Sequence, residues 1–109
     1  MQRRGAILFL LSAIVLTWPL AARAEDYVIT LKDHQFAPAD LVVPAHEKIT
    51  LLVKNAGPGK AEFESADLER EKSVDEGGQI SVSVGPLDAG TYSYFDDYHD
   101  ASTGTITAK

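Results

Sequence analysis

Cysteine is absent from the 109 residues, and the single methionine is Met1. The first absence excludes disulfides, thiol redox catalysis, attachment of c-type haem, thiolate-ligated zinc and the thiolate-bearing type 1 copper centre. Exported domains of this size often rely on disulfides. Here packing has to supply the stability, either alone or together with a bound metal. Positive charge is also scarce. All 16 acidic residues fall after residue 24, while Arg3, Arg4 and Arg23 fall before it, so residues 25–109 keep 7 basic side chains and a net charge of −9 with His neutral. Such a surface repels phosphate backbones, which excludes nucleic acid as a partner, and it favours cations or basic protein surfaces. There is no Ser-His-Asp spacing, phosphate loop or Gly-rich nucleotide motif, and isolated carboxylate pairs in an acidic chain are weak grounds for hydrolysis.

The one long apolar run, about Ala6 to Leu16, follows Arg3 and Arg4 and leads to Ala22-Arg23-Ala24. This is the pattern of a secretory signal peptide with a small-x-small cleavage box, so residues 1–24 are expected to be removed before Glu25. The run is short for a membrane span of about 20 residues, and no membrane insertion of the mature chain is expected. The remaining 85 residues suffice for one domain with one modest core. Cleavage also removes Met1, so the mature chain has no thioether.

Short β-prone runs recur between turn signals, as in an antiparallel sandwich. Strands are expected near Tyr27–Lys32, Asp40–Val43, Lys48–Asn55, Ala61–Glu64, Gln79–Val84, Gly90–Phe95 and Gly104–Ala108. Strict alternation in Gln79-Ile-Ser-Val-Ser-Val84 turns Ile80, Val82 and Val84 to the core and Ser81 and Ser83 to water. Tyr92 and Tyr94 share a face by the same rule. Asn55-Ala-Gly-Pro-Gly59, Glu76-Gly-Gly78 and Asp88-Ala-Gly90 are turns in which Gly suits positive φ, and Pro38, Pro44 and Pro86 break pairing. Ser65–Val74 reads equally as a short helical turn or an irregular edge.

The segment Tyr92-Ser-Tyr-Phe-Asp-Asp-Tyr-His99-Asp-Ala-Ser-Thr-Gly104 resembles the last loop of cupredoxins, Tyr-x-Tyr-x-Cys-x-x-His-x-x-Met-x-Gly. Aligned without a gap, the His falls on His99 and the Gly on Gly104, but the thiolate position falls on Asp96 and the thioether position on Ser102. Phe36-Ala-Pro38, Leu41-Val-Val-Pro44 and Ile49–Asn55 extend the likeness through the first half. Ala61-Glu-Phe-Glu-Ser65, Asp67-Leu68, Arg70–Val74, Val84-Gly-Pro-Leu87 and Tyr98-His99 make the chain similar to periplasmic, EfeO-type cupredoxin-like proteins associated with bacterial ferrous-iron uptake through FTR-type iron permeases. One departure stands out: those relatives carry one more residue between the His and the Gly.

The resemblance implies an all-β, cupredoxin-like Greek-key sandwich over residues 25–109. It further implies an iron or copper ion bound by His34, Glu62, Glu64, Asp97 and His99, with Asp96 as the alternative to Asp97. The residues themselves allow plainer readings. In these, His99 is a surface imidazole, Glu62 and Glu64 a solvated strand face opposite Phe63, Asp96 and Asp97 turn residues, and His34 a rim residue on the face of Phe36. His46 reads as plain surface, and Tyr92, Tyr94, Phe95 and Tyr98 as packing rather than a redox relay. One or two imidazoles with two or three carboxylates suit Fe(II)/Fe(III), Cu(II), Mn(II) or Zn(II), whereas Cu(I) would lack soft donors.

Together these features point to a periplasmic metal-binding protein serving iron uptake beside an iron permease and a periplasmic iron-binding protein. A ferroxidase-type component is the enzymatic variant of that reading. A copper carrier or electron-transfer protein, and a metal-free interaction module, are the alternatives; association as a homodimer stays open.

Overall fold

The computed structural model describes residues 25–109, so the expected leader lies outside the described residues. Nine strands follow one another: β1 (Glu25–Lys32), β2 (Gln35–Ala37), β3 (Asp40–Val43), β4 (Ile49–Asn55), β5 (Ala61–Ser65), β6 (Arg70–Val74), β7 (Gln79–Val84), β8 (Gly90–Asp96) and β9 (His99–Ala108). They form a four-stranded sheet in the order β2-β1-β4-β7 and a five-stranded sheet in the order β3-β9-β8-β5-β6. No helix among the described residues is long and apolar enough to cross a membrane.

Alternation builds the core. Ile29 and Leu31 of β1, Ile49, Leu51 and Val53 of β4, and Val82 and Val84 of β7 point inward from the smaller sheet. Phe63 of β5, Tyr94 of β8 and Ile106 and Ala108 of β9 meet them from the larger one. Each fully buried large side chain contributes about 1.5–3 kcal/mol relative to exposure, and every strand supplies its share because a period of two sends each second residue to the same face. Ser81 and Ser83 face water, as expected.

Four features depart from the strand pattern read off the sequence. A short β2 pairs with β1, Lys32 opposite Gln35, leaving Asp33 and His34 as the two-residue turn. Ser65–Val74 is a turn followed by the edge strand β6, with the Leu68 N–H donating to Ser65 Oγ at 3.1 Å and the Glu69 N–H to the Ala66 carbonyl at 3.2 Å. Two of the pairings are parallel, β1 with β4 and β3 with β9, so the sandwich is mixed rather than antiparallel. Alternation is blind to strand direction, which depends on where the chain crosses between sheets.

The fourth departure is β9, which starts at His99 instead of Gly104. Asp97 and Tyr98 form a tight turn, Asp96 pairs with His99 and Phe95 with Thr103, and the excess residues of β9 bulge between these two pairs. The expected long loop is therefore a hairpin with a bulge, a device that re-aims side chains near sites.

Candidate metal centre

β5 supplies the centre of the site. Its pattern leaves Ala61, Phe63 and Ser65 buried and Glu62 and Glu64 half-buried on the outer face of the larger sheet. On the neighbouring β6, Glu71 stands directly opposite Glu64 and Ser73 opposite Glu62. On the other side the Asp97 N–H donates to the Glu62 carbonyl oxygen at 3.0 Å, bringing the hairpin tip alongside β5. One carboxylate oxygen each of Glu62, Glu64 and Asp97 then lies within 4.8 Å of the others.

Crowded carboxylates repel one another, and their protonation reflects it. The Glu62 carboxyl is pushed above its ordinary range by a hydrogen bond shared with Glu71, then by partial burial and the charges of Glu71, Asp97 and Glu64. That of Glu64 is pushed up by partial burial first, then by the charges of Asp97 and Glu71. A multivalent cation relieves the same repulsion that a proton relieves, so the cluster is electrostatically prepared for one.

Asp96 is placed differently from Asp97. Its side chain is only 2% exposed, and its Oδ1 accepts the Glu62 N–H at 2.9 Å and the Tyr98 N–H at 3.0 Å. Ser102 is equally buried and its hydroxyl donates to the His34 carbonyl oxygen at 2.5 Å. The two positions where a blue-copper protein carries its soft ligands thus hold polar side chains committed to the backbone. Without a thiolate or thioether, a type 1 copper centre does not fit this chain. Oxygen-seeking or borderline cations do.

The imidazoles lie apart from the carboxylates. His34 is in the β1–β2 turn with φ 63°, exposed rather than on the Phe36 face, because the turn interrupts strand alternation. Its ring lies 3.8 Å from that of His99, centroid to centroid, at an interplanar angle of 45°. Neither belongs to the group formed by Glu62, Glu64 and Asp97. His46 is an exposed turn residue 3.9 Å from Asp88, as a plain surface reading expects.

Of the six candidates, the structure therefore brings Glu62, Glu64 and Asp97 together, pairs His34 with His99, and turns Asp96 inward. Glu71 and Asp100 escaped the sequence reading. Glu71 would have been found had Arg70-Glu-Lys-Ser-Val74 been read as a strand, since alternation puts Glu71 and Ser73 on one face. Asp100, whose charge adds to the upward push on Glu64, carried no such signal, because a bulge has no period.

Comparison with known proteins agrees with the fold. Over 79 residues the chain is 44% identical to protein RP394 of Rickettsia prowazekii, covering 72% of this chain and 63% of that protein. The chain thus spans less than two thirds of that relative's length. Auracyanin A, a blue copper protein of Chloroflexus aurantiacus, superposes with a TM-score of 0.65 at 15% identity, covering 77% of this chain and 98% of its own. The metal-binding domain of the Cu(I)-exporting P-type ATPase CopA of Streptococcus pneumoniae gives 0.66 at 12% identity, covering 77% and 84%. At these identities the two structures speak for the sandwich alone. Residues 5–108 match the cupredoxin-like domain, and the chain belongs to that family.

Proposed function

We propose that residues 25–109 form a periplasmic metal-binding domain that captures a transition-metal cation on the outer face of the larger sheet and serves ferrous-iron uptake. The observation that carries the binding is the convergence of Glu62, Glu64 and Asp97, whose oxygens approach within 4.8 Å. Hard anionic oxygens favour Fe(III) over Fe(II), so the site suits iron as cargo at or after its oxidation. Asp96 holds Glu62 in place through the backbone, and Glu71, beside Glu62 and Glu64, adds to the negative charge that a cation would neutralise. The iron-uptake role, with an iron permease and a periplasmic iron-binding protein as partners, rests on sequence resemblance; a binding protein is favoured over an enzyme.

A second reading is a copper carrier or electron-transfer protein, which would put to the same use the sandwich that this chain shares with the copper proteins auracyanin A and the CopA domain. Calorimetric titration of metal-stripped 25–109 with anaerobic Fe(II), Fe(III) chelate and Cu(II), beside Glu62→Gln/Glu64→Gln, separates the readings. Saturable iron binding lost in the variant supports iron handling. Tight Cu(II) binding with indifference to iron supports the copper reading. A folded domain that binds neither metal would make it an interaction module.

A further inference from the structure

We infer that the outer face of the five-stranded sheet carries a docking groove over Phe95 that takes an arginine side chain from an exposed segment of a partner protein. The groove has a volume of about 500 Å³, and its lining includes Ser93, Phe95, Asp97, Asp100 and Thr103. None of this requires the neighbouring carboxylates to hold an ion.

Alternation on β8 sends Tyr92 and Tyr94 toward the core and Ser93 and Phe95 outward. The neighbours of Phe95 on that face are polar: Glu62 and Glu64 on β5, Glu71 on β6, and Thr103 and Thr105 on β9. A phenyl ring in this setting fills no core, yet it is held half-buried among hydroxyl and carboxylate groups. Register fixes its flanks, since Glu64 stands directly opposite on β5 and Thr103 on β9. Cross-strand neighbours of this kind lie about 4.5–5.5 Å apart at Cβ, close enough to form the walls of a slot around the ring.

The charge around the ring is of one sign. Asp97 and Asp100 line one end of the groove, and at the other the Asp67 carboxylate is held by the N–H and hydroxyl of Ser93, at 2.9 and 3.0 Å. Arg70 and Lys72 of β6 turn to the carbonyl oxygens of Ser83 and Ser81, so that strand offers the outer face Glu71 and Ser73 and no cation. A guanidinium answers both features, because its plane stacks on an aromatic face while its N–H groups reach carboxylates at the rim. An ammonium is a more strongly hydrated point charge, and an anion would be repelled. Tyr98, 55% exposed at the hairpin tip, extends the aromatic contact beyond Asp97, and tyrosine and arginine are among the residue types that dominate contact energy at protein interfaces. The net charge of −9 on residues 25–109 steers a basic partner surface toward the domain.

Nuclear magnetic resonance titration of isotope-labelled, metal-stripped 25–109 with the peptide acetyl-Gly-Arg-Gly-Arg-Gly-amide tests this, beside the same peptide with uncharged citrulline in place of arginine. The expected result is saturable shifts confined to the amides of residues 93–100 and Thr103, and none with the citrulline peptide. Phe95→Leu, which keeps apolar bulk but loses the ring, should weaken binding about 2–5-fold, and Asp100→Asn, at an exposed position, should weaken it as well. Asp88→Asn removes the same charge from a side chain 97% exposed beyond the other end of β8 and should leave binding unchanged. Circular dichroism checks that each variant is folded. Equal effects of Asp100→Asn and Asp88→Asn, or shifts spread over the whole acidic surface, would mean unspecific attraction and overturn the proposal. So would full affinity in a folded Phe95→Leu, the same shifts with the citrulline peptide, or no shifts at millimolar peptide. Because no metal is present, failure of the carboxylates to bind an ion would leave this result untouched, so the two ideas fail separately.

Discussion

The carboxylate of Asp96 accepts the backbone N–H of Glu62 at 2.9 Å, across 34 residues of sequence. At the position where a blue-copper protein places its thiolate, this chain uses an acceptor oxygen to hold in register the strand that carries its first candidate ligand. Asp96→Ala removes the acceptor of the half-buried Glu62 N–H and of the N–H of the exposed Tyr98; water can reach the second, so the loss should be about 1–3 kcal/mol in all rather than for each group. Urea unfolding should show that loss, and Asp96→Asn, which keeps an acceptor oxygen, should recover much of it. Equal stability of Asp96→Ala and wild type would contradict this role.

Stability should also respond to pH through Glu62 and Glu64. Both bind protons more readily folded than unfolded, so their contribution is present below the ordinary carboxyl range and is lost as pH rises through their raised folded values. Asp40, held low by hydrogen bonds from the Thr105 and then the Thr107 hydroxyl, and Asp67, held low by the Ser93 N–H and hydroxyl, act in the opposite sense. Their contribution is present at neutral pH and is lost as pH falls through their lowered values. Glu62→Gln/Glu64→Gln should therefore raise the melting temperature of the metal-free protein at neutral pH, with the gain shrinking toward acid. A gain that grows on acidification would refute the assignment.

Gly104 lies against the ring of Tyr94, where an added Cβ would overlap the phenol. Tyr94 is enclosed by Phe36 and Phe63, with ring centroids at 5.0 Å in both cases, and cannot step aside freely. Gly104→Ala should cost about 1–3 kcal/mol through overpacking. The Tyr94 hydroxyl is itself buried without a partner, so Tyr94→Phe should stabilise the fold by about 1 kcal/mol. Thermal unfolding of the two variants tests both signs; a destabilised Tyr94→Phe would show that the hydroxyl is in fact bonded.

Arg70 and Lys72 of β6 reach across to β7, donating to the carbonyl oxygens of Ser83 at 3.1 Å and Ser81 at 3.3 Å. Both strands are sheet edges, and long cationic side chains that occupy edge carbonyls hinder pairing with another chain. Arg70→Ala/Lys72→Ala should change monomer stability by less than about 1 kcal/mol, because the contacts are exposed. Its visible effect should be concentration-dependent association in light scattering; a strictly monomeric double variant would rule out the protective role.

The core was legible because it follows a period of two. Gln79–Val84 and Ala61–Ser65 alternate as written, and Phe63 falls inward between Glu62 and Glu64 as the pattern requires. β2 was missed because three residues beside a turn are too few to show a period, and β6 stayed open between a helical turn and an edge because charged residues fill an edge strand that buries only Val74. His34 was placed on the Phe36 face by counting through a turn, where counting by twos fails.

By itself the sequence determined the two-layer β architecture, the absence of soft ligands and the strongly acidic character of residues 25–109. Composition and strand periodicity are local properties, and they suffice for these. Only the tertiary structure decided that Asp97 faces Glu62 and Glu64 while Asp96 turns inward, that His34 and His99 meet as a pair of their own, and that Glu71 joins the acidic face. Those placements depend on the register between β5, β6 and β8, on a bulge in β9 and on two turns approaching from opposite sheets. Register and bulges arise from pairing between distant segments, and no local period encodes them.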